Sequence, residues 1–171
     1  MNHKTALFLI SLSLLMIASG DPIMAQESVI TAYVDAANKT EDPDKKSELL
    51  KMAIEEAESS GKPELVAGPV FLLASAELKD GQEAKAKALF SKAVETCPND
   101  MGKALFNSKA GNEFYYLGKF DDALVFYKQA VRLREKINPP GSRMAHVFAQ
   151  SLKDLGNCQR DMGNFIAAEV V

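Results

Sequence analysis

Gly118-Lys119-Phe120-Asp121-Asp122-Ala123-Leu124-Val125-Phe126-Tyr127 is the stretch that decides the fold. A glycine ends one element, an alanine follows five positions on, and an aromatic stands four positions after that. The same offsets occur upstream as Gly81, Ala86 and Phe90, and a third copy begins as Gly163 and Ala168. Recurrence at one set of offsets marks a repeat architecture, in which each supersecondary unit buries its apolar face against the next.

Around these copies apolar residues recur three and four positions apart and never alternate over a useful length, which predicts helices and no strands. The helices are expected in four pairs: 27–39 with 43–60, 64–79 with 82–97, 101–117 with 120–136, and a pair from 142 onward whose second helix is incomplete. Asp42 before Pro43 supplies an N-cap and a first-turn proline. Gly61 is a helix terminator, and Pro98 and Asn138-Pro139-Pro140-Gly141 separate one repeat from the next. Within each pair a small residue on the first helix (Ala74, Gly111, Gly156) is expected to face one on the second (Ala86, Ala123, Ala168), letting the backbones approach to about 8 Å. Phe90, Phe114 and Tyr127 then fill the flanking grooves. The first pair departs from this pattern, having no glycine at its turn and Lys46 where the others have alanine; it suits a degenerate capping repeat.

These positions resemble the tetratricopeptide repeat, most fully through Gly111, Phe114, Leu117, Gly118, Phe120, Ala123, Tyr127 and Ala130. The resemblance implies an all-α fold, an α-α solenoid of about four antiparallel helix pairs in a right-handed superhelix with its last pair incomplete. Repeats are expected near 27–60, 67–100, 104–137 and, in part, 149–171. The interval from Gly118 to Gly163 is longer than that from Gly81 to Gly118, and both exceed the roughly 34 residues of the simplest form. With Gly156-Asn157 and Met162-Gly163-Asn164-Phe165, this makes 120–171 similar to the long-period repeats of the kinesin light chain type, which in bacteria often sit beside signalling or peptidase-like domains.

The 171 residues are 47% hydrophobic and 25% charged, with 20 basic against 23 acidic groups and a net charge of −3. That balance suits one folded domain, and the scattering of Lys and Arg argues against nucleic acid as a partner. Lys128, Arg132, Arg134 and Lys136 cluster where cations favour a helix C-terminus. At the N-terminus, Lys4 precedes a mainly apolar run over 6–17 and then Ala18-Ser19-Gly20-Asp21-Pro22. This reads as a signal peptide over 1–25, cleaved after Ala25 or Gly20, ahead of a repeat domain over 26–171. The run is short of the roughly 20 residues a membrane span needs, so no stable span is expected after cleavage, and no nearby cysteine supports lipid modification. The expected location is exported, periplasmic or secreted. Cys97 and Cys158 are expected to be unpaired, too far apart for the roughly 7 Å limit between bridged Cα atoms, and buried as small apolar residues.

Apart from His3, the only histidine is His146, and no phosphate-cradling glycine loop, nucleophile elbow or paired-cysteine metal motif is present. No catalytic residue, metal site or cofactor is expected, and the protein reads as a non-enzymatic interaction scaffold. The resemblance places the concave lining on the first helix of each pair: Leu105, Ser108, Asn112 and Tyr115 in the third repeat, and Gln150, Lys153, Asn157 and Arg160 in the fourth. Ser108, Asn112, Tyr115, Lys153, Asn157 and Arg160 are the candidate contacts for a protein or peptide. Lys153 and Asn157, four apart, resemble the first element of a carboxylate clamp. The apolar tail with Phe165, Ile166, Ala168, Val170 and Val171 leaves two readings open. Either the sequence is the N-terminal sensing or tethering module of a longer signalling or hydrolytic protein, or an exposed C-terminal helix closes a homodimer.

Overall fold

In the computed structural model the residues described are 22–137 and 145–169, with side chains described over 26–137 and 149–163. They form helices joined by turns, with no strand among them. In chain order these are α1 (Pro22–Lys39), α2 (Pro43–Ser59), α3 (Pro63–Lys79), α4 (Glu83–Thr96), α5 (Asp100–Tyr116), α6 (Phe120–Ile137) and α7 (Ala145–Glu169). The chain divides into two compact units, Met1–Thr96 and Cys97–Val171. In the first, α1 packs on α2, α2 on α3 and α3 on α4; in the second, α5 packs on α6 and α6 on α7.

The repeated glycine has a direct physical role. Gly81 and Gly118 take φ of 77° and 71°, a left-handed conformation that costs a residue with a Cβ about 1–2 kcal/mol. Behind Gly81, the Gln82 amide donates to Glu77 O at 2.8 Å and the Gly81 amide to Leu78 O at 3.1 Å. Behind Gly118, Lys119 donates to Phe114 O at 3.0 Å and Gly118 to Tyr115 O at 2.9 Å. Both are Schellman turns, which satisfy the last carbonyls of the preceding helix. The residue after each glycine then opens the next helix, since Ala86 N donates to Gln82 O at 2.9 Å and Ala123 N to Lys119 O at 3.0 Å.

The first pair uses another turn. Asp42 caps α2, its Oδ1 accepting from the amides of Asp44 at 3.1 Å and Lys45 at 3.2 Å, with Pro43 in the first turn as its fixed φ favours. No positive-φ residue is needed there. Gly61, at φ 69°, instead follows α2.

Each unit has its own core. Phe71 and Phe90 meet at 4.9 Å in the first, beside Leu50, Val70 and Leu73, all buried; in the second, Phe114 stacks on Phe126 at 5.6 Å. Burying each such ring contributes about 1.5–3 kcal/mol. Ala86 and Ala123 are fully enclosed, as the close helix approach requires. The partner of Gly111 differs from the small-against-small expectation: a Cβ on Gly111 would lie 2.7 Å from the Tyr127 ring. The glycine makes room for an aromatic.

Two boundaries also differ. The first helix starts at Pro22 instead of 27, proline being well placed at a helix start. In the fourth repeat α7 runs on through Gly163, which has no positive φ. Extending an existing helix adds one hydrogen bond per residue, whereas a new helix after Gly163 needs a fresh nucleus. Seven helices are therefore described, not eight. The turn at Asn138-Pro139-Pro140-Gly141, the side chain of Ala168 and residues 1–21 of the expected leader lie outside the described residues, and no described helix is long and apolar enough to cross a membrane.

Gly111 and Gly156 hold equivalent positions in their helices but meet different surroundings, the second having nothing within 4 Å of a built Cβ. Gly111→Ala is expected to lower unfolding stability by about 1–3 kcal/mol through overpacking against Tyr127. Gly156→Ala should raise it by up to about 1 kcal/mol through helix propensity. Denaturant unfolding of the two variants checks the contrast, and equal effects would contradict it.

Candidate functional site

The candidate contacts all lie on α5 and α7 of the second unit. Spacings of three and four along each helix keep Ser108, Asn112 and Tyr115 to one side of α5 and Lys153, Asn157 and Arg160 to one side of α7. Asn99 caps α5, its Oδ1 accepting from Gly102 N at 2.8 Å.

A residue outside the expected set joins the two helices. Asp161 accepts a hydrogen bond from the Tyr115 hydroxyl through Oδ2 and another from Arg160 Nε at 3.0 Å through Oδ1. One carboxylate thus positions a phenol from α5 and a guanidinium from α7. The bond from Tyr115, followed by that from Arg160, holds the Asp161 carboxyl below the usual range, and the same bond with partial burial raises the Tyr115 phenol.

Asn112 is half-buried, and its Oδ1 accepts from the Tyr127 hydroxyl at 2.6 Å. The same contact that anchors the core aromatic therefore sets the orientation of the Asn112 amide. Tyr127 is raised well above the ordinary tyrosine value, chiefly by burial and then by Asp154. Ser108 does not reach the surface: it is 8% exposed, and its Oγ is enclosed without a hydrogen-bond partner. A polar residue expected on the lining is thus directed into the helix packing. Lys153 and Arg160 are exposed and Asn157 is half-buried. Leu105 and Leu152 are exposed apolar neighbours in sequence of these groups.

One cation of α6 is buried. Arg134, expected among the cations that favour a helix C-terminus, does lie in the last turn of α6, yet it is only 8% exposed; burial lowers its guanidinium, with Asp154 opposing the shift. Its neighbour Lys136 does complete the expected helix-end arrangement, pairing with Asp100 at 2.7 Å. Asp154 also accepts from Gln150 Nε2 at 2.7 Å.

Neither Cys97 nor Cys158 forms a disulfide, and both are buried. Burial raises each thiol, which disfavours the reactive thiolate. Among the described residues no group of three or more His, Cys, Asp and Glu is placed to hold a metal ion. The side chain of His146 lies outside them.

Residues 69–100 match the family model described as Tetratricopeptide repeat. The match falls on α3 and α4, although the third pair carries more of the typical residues. That third pair also places Asn107 and Arg134 in buried positions, a departure from apolar packing. No curated protein matches the chain. Among solved structures, the fold is similar to that in the crystal structure of BtubC (BKLC) from P. vanneervenii, with a TM-score of 0.54 and 19% sequence identity, covering 95% of this chain and 74% of that one.

Because Asp161 has a lowered pKa in the folded state, its stabilising effect is complete above the unfolded carboxylate value of about 3.9 and is lost as pH falls through the folded value. Asp161→Asn should abolish that acid-dependent component. It should also return the Tyr115 phenol toward the ordinary tyrosine value, so that its ultraviolet tyrosinate titration moves to lower pH. An unmoved titration in the variant would show that the bond does not persist in solution.

Proposed function

We propose that this tetratricopeptide-repeat protein is an exported, non-enzymatic scaffold that holds a protein or peptide segment on the adjoining surfaces of α5 and α7. Repeats of this family typically bind proteins or peptides, and the leader over 1–25 supports export. The observation that carries the reading is the Tyr115–Asp161–Arg160 linkage, because it fixes groups from two helices beside one another without covering the Lys153 ammonium.

The chemistry of the face suits an extended acidic segment or a chain terminus. Lys153 and Arg160 offer positive charge, while Asn112 and Asn157 offer amides for backbone groups. Arg160 is partly compensated by Asp161 at 3.0 Å, so Lys153 is the principal uncompensated cation of the set. Charge on this face steers encounter and specificity more than it adds affinity.

A photo-crosslinking residue at position 153 of the full chain, expressed in its own cells, tests the reading against the same residue at the exposed position 128 of α6. A discrete polypeptide adduct is expected at 153, in the exported fraction and absent at 128. It should be lost on Asn157→Ala with Arg160→Ala while helical content is unchanged. No adduct at 153, equal adducts at both positions, or recovery only from the cytoplasm overturns the proposal.

A further inference from the structure

The first helix pair contains a second arrangement, separate from the α5 and α7 face. Counting from the hairpin turns, Glu41 occupies the position of Gly81 and Gly118, and Lys46 that of Ala86 and Ala123. In the other two pairs the alanine is fully enclosed between its helices. Lys46 is half-buried instead, and it lines an open cleft of ≈ 300 Å³ formed by the end of α1, the start of α2 and the end of α3. All its lining residues belong to the first unit.

The cleft joins an apolar floor to charges of both signs. Leu50 and Leu72 supply the floor, and Lys46, Lys79, Glu41 and Asp80 supply two ammonium and two carboxylate groups. Among the described residues, none of these four takes part in an ion pair or side-chain hydrogen bond. That distinguishes them from the neighbouring Lys62–Glu27 and Lys85–Glu77 pairs, at 2.9 and 2.6 Å. Ser75 also lines the cleft. It is 9% exposed, and its Oγ has no hydrogen-bond partner in the protein. A buried hydroxyl left in that state is destabilising, and an orphaned polar group beside a cavity calls for an explanation.

The mixture of charges narrows the ligand. A simple anion meets Glu41 and Asp80, a simple cation meets Lys46 and Lys79, and a purely apolar molecule engages the floor alone and leaves the four charges to water. A small zwitterion with an apolar body satisfies both signs and covers the floor. The volume lies at the lower end of the roughly 300–1,000 Å³ of small-molecule sites, which suits something the size of a single amino acid.

We propose that this cleft binds a free amino acid with an apolar side chain, its carboxylate toward Lys46, Lys79 and the Ser75 hydroxyl, its ammonium toward Glu41 and Asp80, and its side chain over Leu50 and Leu72. The departure from the repeat pattern at positions 41 and 46 is then the feature that opens this site in the first hairpin.

Titration calorimetry and amide chemical-shift mapping of the full chain with L-leucine test this, with N-acetyl-leucine and leucinamide as probes lacking one charge each. Saturable binding of leucine is expected, with shifts at Ser75 and Leu72 and at least about tenfold weaker binding of both blocked forms. Lys46→Ala, which restores the residue of the other pairs, should remove binding while helical content is kept. Should that variant fail to fold, Ser75→Ala, nearly isosteric, must weaken binding several-fold. No saturable binding up to about 10 mM, binding of either blocked form equal to that of leucine, or a folded Lys46→Ala variant that binds as before overturns the proposal.

Discussion

The left-handed glycine after the first helix of a pair is the constraint on which the rest of the α3–α4 and α5–α6 hairpins depends. Gly81 and Gly118 reverse the chain within three residues and hand the last carbonyls of one helix to the amides that open the next. Once the reversal is fixed, the residue five positions on must lie between two backbones, and only alanine is found there, fully enclosed, in α4 and α6. One turn further along, Phe90 and Tyr127 occupy the interior. A change in turn geometry moves all of these positions together, because the side chains of two packed helices interdigitate in one register.

Helical class, the Gly81 and Gly118 turns and the enclosed alanines were legible in the sequence because local chemistry determines them. The same glycine-to-alanine offset at Gly163 misleads, and the reason is physical. A Schellman turn ends a helix at the glycine, whereas the residues after Gly163 continue α7 and keep its hydrogen-bond ladder. Glycine permits a left-handed conformation and does not impose one. The small face of Gly111 was legible as well, but its partner was not, since a glycine accommodates an alanine or an aromatic and the pattern alone does not distinguish them.

The candidate site was legible by position and illegible by contact. Asn112, Tyr115, Lys153, Asn157 and Arg160 could be named from register, yet Asp161, which organises two of them, lies 46 positions from its phenol partner. No local periodicity signals such a bond. Ser108 shows the converse, a polar residue at a lining position whose hydroxyl the packing encloses. The Lys46 cleft was visible only as an irregularity; its meaning required knowing that Ser75, Leu72 and Lys79 from a different helix pair reach the same space.

The hydrogen-bonded polar groups of the second unit bear on the binding surface proposed above. Asn112 and Tyr127 bind each other at 2.6 Å, and Tyr115 and Arg160 are both held by Asp161. Groups fixed by such contacts lose little further freedom when a ligand arrives, whereas each free, rotamer-rich side chain costs about 0.5–1.5 kcal/mol to order. Lys153, exposed and without an ion-pair partner among the described residues, is the member of the set left to be ordered. On the proposed reading of this face, these contacts therefore preorganise the α5 and α7 surface for a partner. Asn112 illustrates the coupling: its oxygen serves the core through Tyr127, so the direction of its amide nitrogen is set by the fold before any partner is met.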